Sequence, residues 1–122
     1  SVFPSGRIGS QTPTPTLAAD VEPHYRHGIG ELEIDLTQVA DADQLLGRTI
    51  HVDAGIGRTT VIVPDGLKVA LDTHVRAGQI DLFGRTDDGT DVSMVDAPDQ
   101  PDGTALTIDI DQKLGEIEVM SR

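Results

Sequence analysis

Three histidines, His24, His51 and His74, occupy the same place in a recurring motif. His24-Tyr25-Arg26-His27-Gly28-Ile29-Gly30 aligns with His51-Val52-Asp53-Ala54-Gly55-Ile56-Gly57, and again with His74-Val75-Arg76-Ala77-Gly78. Val52 and Val75 are the inward residues of alternating strands, so His51 and His74 face outward by parity. If the motifs stack, the three imidazoles form an exposed column. Two imidazoles on neighbouring strands can share Zn²⁺ or Cu²⁺, which makes His24, His51 and His74 the candidate metal ligands. The same column could serve as a pH-sensitive patch, or as a plain solvated ladder.

Other constellations offer less. Asp87-Asp88-Gly89-Thr90-Asp91 and the stretch from Asp96 to Asp102 gather carboxylates. Calcium needs six to eight oxygens in a set order, and the ordered Asp-x-Asp-x-Asp-Gly pattern with its distal Glu is missing, so a solvated acidic loop is expected. Gly55-Ile56-Gly57-Arg58-Thr59-Thr60 lacks the lysine of a phosphate loop and precedes no helical pattern. No Gly-x-Ser-x-Gly elbow is present. The expectation is a non-enzyme with no catalytic residues and no cofactor.

Composition narrows the partners. The 122 residues carry 21 acidic and 9 basic side chains, a formal net charge of −12. That charge repels phosphate backbones and anionic lipid, so nucleic acid is excluded as a partner. Aromatics make up 2% of the chain, which leaves almost no stacking platforms and requires an aliphatic core. There is no cysteine, which removes disulfides, thiolate nucleophiles and Cys-based zinc sites together. No apolar run approaches the length of a membrane span.

The elements that must position the histidines are strands. Leu32, Ile34 and Leu36 alternate with acidic residues. So do Ile50 and Val52, Leu67 to Val75, Ile80 and Leu82, Leu106 to Ile110, and Ile117 and Val119. A period of two marks strands with one buried face. Glycines and Pro64-Asp65-Gly66 separate them. Residues 84–104 break the rhythm and read as a polar insertion with a short edge strand at Val92, Met94 and Val95. Residues 1–23, rich in Pro and Thr, read as a flexible linker, and residues 24–122 as one β-repeat domain.

The repeat fixes the expected fold. Asp111-Gln112-Lys113-Leu114-Gly115 is a fourth copy, and the copies lie 27, 23 and 37 residues apart. The expectation is all-β: a β-solenoid-like stack of short Gly-cornered strands, successive copies forming successive rungs. An antiparallel β-sandwich is the alternative.

Gly28-Ile29-Gly30-Glu31-Leu32-Glu33-Ile34-Asp35-Leu36-Thr37, Gly55-Ile56-Gly57 running into Val61-Ile62-Val63-Pro64-Asp65-Gly66, Gly78-Gln79-Ile80-Asp81-Leu82 and Gly115-Glu116-Ile117-Glu118-Val119 resemble a known pattern. It is that of the "toastrack" domain at the C-terminus of LiaF-type and actinobacterial PspC-type membrane proteins, and it covers residues 24–122. The resemblance implies a stack that follows transmembrane helices upstream of this chain and lies outside the cytoplasm. It implies a place in cell-envelope stress sensing beside a protein partner such as a sensor histidine kinase. It carries over no catalytic or ligand residue. A homo-oligomer joined through strand edges is a further expectation, and a self-assembling scaffold of the bactofilin kind is the alternative function.

Overall fold

The protein is described by a computed structural model covering residues 8–98 and 104–122. Over those residues it is all-β. Six strands form one mixed sheet: β1 (Ile8–Gln11), β2 (His24–Asp35), β3 (Thr49–Val63), β4 (Val69–Leu82), β5 (Arg85–Asp96) and β6 (Leu106–Ser121). Their order is β1-β2-β3-β6-β4-β5. All neighbours are parallel except β4 and β5, which form an antiparallel hairpin. The turn of that hairpin holds Phe83 (φ 53°) and Gly84 (φ 91°), two successive positive φ angles that suit the twist of paired strands.

Each long strand unites two of the short runs seen in the sequence. The join lies at a row of glycines that face one another across the whole sheet: Gly9, Gly30, Gly57, Gly115, Gly78 and Gly89. All six have positive φ. Just before this row the pairing skips one position in each of the four longer ladders, as it does between His27–Ala54 and Ile29–Ile56. The skipped residue reverses the parity of burial. In β2 the buried residues are Tyr25 and His27, then Leu32 and Ile34; in β6 they are Leu106, Ile108, Ile110 and Gln112, then Ile117 and Val119. Because every rung makes the same change, the register survives it.

The chain folds back at this corner. Arg85 and Asp96, the two ends of β5, meet at 3.7 Å, whereas a straight strand of that length would hold its ends roughly 35 Å apart. The two arms of each rung enclose the core between them, filled by Ile50, Ile108, Leu71, Leu32, Ile117, Ile80 and their neighbours. Tyr25 is the one aromatic in this core cluster. An aliphatic interior follows directly from the composition.

Two features of the sheet differ from expectation. Successive motifs are not successive rungs: β6 lies between β3 and β4. The short turn after Leu82 commits β4 and β5 to each other, and β6, the longest strand, takes the central slot where both of its arms can be buried. The stretch 84–89, read as turn-rich, is strand from Arg85 onward, continuous with the edge strand expected at Val92, Met94 and Val95; together they make β5. The remainder of the 84–104 insertion includes residues 99–103, which lie outside the described residues.

Residues 8–23, read as linker, lie against the domain. β1 pairs with Ile29–Leu32. Proline lacks a donor but keeps its carbonyl, and Pro13 O accepts from Asp35 N at 3.0 Å. Ala18 and Val21 are buried around a short 3-10 turn, Ala18–Asp20. The Arg48 guanidinium donates to Ala18 O and Val21 O, both at 2.7 Å, and Asp41 Oδ1 accepts from Ala18 N at 2.7 Å. This segment closes the β2 end of the stack.

Candidate functional site

The first arms of the rungs carry an outward face of histidine and aspartate. One row across the sheet reads His24, His51, Asp109, Asp72; the next reads Arg26, Asp53, Asp111, His74, Ser93. The register therefore brings His24 and His51 together and leaves His74 in the adjacent row, beyond β6. The sequence alignment slipped by two residues because Gly55 and Gly57 both fit the motif. Only Gly57 belongs to the corner row with Gly78 and Gly115.

Each of the three outward histidines has acidic company. His24 Nε2 is 2.6 Å from Asp53 Oδ2, and His51 Nδ1 is 3.5 Å from Asp109 Oδ2. The His24 and His51 rings meet edge to face with centroids 6.2 Å apart. His74 is held at both nitrogens, Nε2 by Asp91 Oδ1 at 2.9 Å and Nδ1 by Asp111 Oδ1 at 3.2 Å. Those two hydrogen bonds, Asp91 first and Asp111 next, raise the His74 pKa above its ordinary value. Among the described residues no group of three or more histidine and carboxylate side chains converges as a metal cage. That holds for Asp87, Asp88, Asp91 and Asp96, which are strung along β5.

Sequence reasoning missed two buried polar side chains on the inner side of the corner. Gln112 accepts from Thr59 Oγ1 at 2.6 Å and donates to Gly57 O at 2.8 Å and Leu114 O at 3.0 Å. It ties β6 to β3 where both bend. His27 is buried with neither ring nitrogen hydrogen-bonded. Parity was the available signal, since His27 shares the inward face of Tyr25.

On the outer side of the corner stand Ile8, Ile29, Ile56 and Leu114, which are neighbours in register on four adjacent strands. They are 70%, 49%, 50% and 47% exposed. Among the described residues, half of the exposed large hydrophobic side chains thus fall in one line. Glu31, Arg58 and Glu116 border the line beyond the glycines, with Arg58 and Glu116 paired at 3.4 Å. A shallow groove of about 680 Å³ lies at the β1 end, lined by Thr12, Pro13, Pro15, Glu22, His24 and Arg26 among others.

Comparison with known proteins gives two matches. The model of the family described as "Cell wall-active antibiotics response LiaF, C-terminal" matches residues 18–119. Among curated proteins none matches the sequence. A solved structure from Clostridium sporogenes, of a protein provisionally described as a cell adhesion protein, superposes with a TM-score of 0.61 at 14% identity. The match covers 93% of this chain and 52% of that one, so the chain spans about half the length of the solved protein. At that identity the likeness is one of fold.

Proposed function

Since this chain belongs to the LiaF-like C-terminal family of cell-wall stress response regulators, we propose that it is the extracytoplasmic, non-catalytic interaction domain of a membrane-anchored regulator. The family match over residues 18–119 carries the reading. No helix among the described residues is long and apolar enough to cross a membrane, so the proposed anchor lies outside them. The proposed partner is another protein of the envelope, such as a sensor histidine kinase. What supports a binding role is the aliphatic line of Ile8, Ile29, Ile56 and Leu114, since exposed apolar residues gathered in one place commonly mark a contact surface. The charge of −12 favours a partner whose face is neutral or basic.

Two measurements in the native host test the reading. In the full-length protein, replacing Ile29 and Ile56 together by Asp should abolish the regulator's effect on the response to cell-wall-active antibiotics, with protein levels unchanged. An unaltered response would remove the line as the contact surface. The 122 residues contain no cysteine, so a Ser93→Cys variant places one thiol on exposed β5. A membrane-impermeant maleimide should label it in intact cells. Labelling only after lysis would place the domain inside the cell and end the extracytoplasmic reading.

A further inference from the structure

We propose that His24 and His51 form a surface site for a divalent transition-metal cation, Zn²⁺ or Cu²⁺, in which each imidazole is backed by a carboxylate. The two residues are direct partners in the parallel register of β2 and β3. Their ring centroids stand 6.2 Å apart. Two imidazoles on one tetrahedral ion, with metal–nitrogen bonds near 2.0–2.1 Å, hold their ring centres about 5 Å apart. Both side chains are solvent-accessible, with side-chain exposures of 36% and 55%, so packing encloses neither ring and leaves room for the rings to close about 1 Å.

The carboxylates decide which nitrogens are available. Asp53 takes the hydrogen at His24 Nε2, and the Asp109 carboxylate lies 3.5 Å from His51 Nδ1, an ion-pair contact that favours the proton on that nitrogen. A carboxylate at one ring nitrogen fixes the tautomer and turns the other nitrogen into the ligand, with raised basicity. His24 Nδ1 and His51 Nε2 are therefore the metal-facing atoms. His74 takes no part, because Asp91 and Asp111 occupy both of its nitrogens. With no third histidine or carboxylate converging among the described residues, water completes the coordination, and affinity falls in the micromolar range. The acidic character of the chain concentrates cations at this face.

Calorimetric titration of the tag-free 122-residue chain with ZnCl₂, then with CuCl₂, tests the site. One saturable event is expected, tighter for Cu²⁺ than for Zn²⁺. His24→Ala and His51→Ala should each weaken it at least tenfold. Asp53→Asn should weaken it several-fold, and His74→Ala should change it less than twofold. All four positions are on the outward face, and melting curves confirm that each variant is folded. Absence of saturable binding would overturn the proposal. So would binding that survives loss of both His24 and His51, or binding that depends on His74.

Discussion

At the scale of single residues the corner is the most exacting place in the molecule. A Cβ on Gly57 would stand 1.9 Å from the carbonyl oxygen of Gly30, and the φ of Gly57 is +135°. Neither backbone can withdraw without breaking the ladder. Gly57→Ala should cost about 3 kcal/mol or more by urea denaturation. Gly66, also at positive φ but with nothing near its missing Cβ, should cost about 1 kcal/mol on the same change. Equal costs would mean that conformation alone, and not the stacked carbonyls, makes the corner glycine necessary. Gln112→Leu removes three bonds and leaves the hydroxyl of Thr59 buried. An expected loss of about 2–3 kcal/mol follows from an orphaned buried polar group, and adding Thr59→Val should restore part of it.

His74 supplies a pH signature. Its pKa is raised in the folded chain, so its bonds to Asp91 and Asp111 contribute stability below the ordinary histidine range, and that contribution is lost as pH rises through the folded value. Side-chain NMR should find a His74 midpoint above that of free histidine, and Asp91→Asn should lower it. A midpoint unmoved by that change would assign the shift elsewhere. The outward placement of His24, His51 and His74 was legible from parity. The pairing of His24 with His51 was legible from the repeat as well; the place of His74 was not, because it depends on which of two nearby glycines aligns with Gly78, and sequence spacing treats Gly55 and Gly57 alike.

At the scale of the element, strand character was legible where an arm alternates between aliphatic and polar residues, as in Leu32–Leu36 and Leu106–Ile110, and not in Arg85–Asp91 of β5, which carries no aliphatic residue. Strand order was not. The pairing of β3 with β6 and of β6 with β4 is a contact between segments far apart in sequence, and nothing local records it. The segment 12–23 was equally opaque: only Ala18 and Val21 enter the core cluster there, and their anchors are Asp41 and Arg48 on another loop. Stability should follow the order in space. Hydrogen exchange should be slowest in β6, paired on both sides over nearly its whole length, and faster in β5, paired on one side. Protection of β5 equal to that of β6 would indicate that another strand covers its outer edge.

At the scale of the whole molecule, the question is what happens at the ends of the stack. Core rows that begin with Leu32 and Ile34 end at Asp87 and Arg85 on β5. Arg85 also reaches across the rung to Val95 O at 3.2 Å and to Asp96. Charged side chains at the end of an apolar row disfavour the addition of another strand. Residues 8–23 cover the opposite end. Electron micrographs of the purified chain at physiological salt should therefore show single particles, and filaments would favour a self-assembling scaffold instead.

Placing β6 in the middle has a bearing on biogenesis. The last of the described strands to be synthesised is the keystone of the sheet, and until Leu106–Ser121 arrives the edges of β3 and β4 that face it have no mate. A nascent chain in that condition is two half-built pieces, open to proteases and to misjoining with a sister chain, and a nonsense codon just ahead of Leu106 would strand it there.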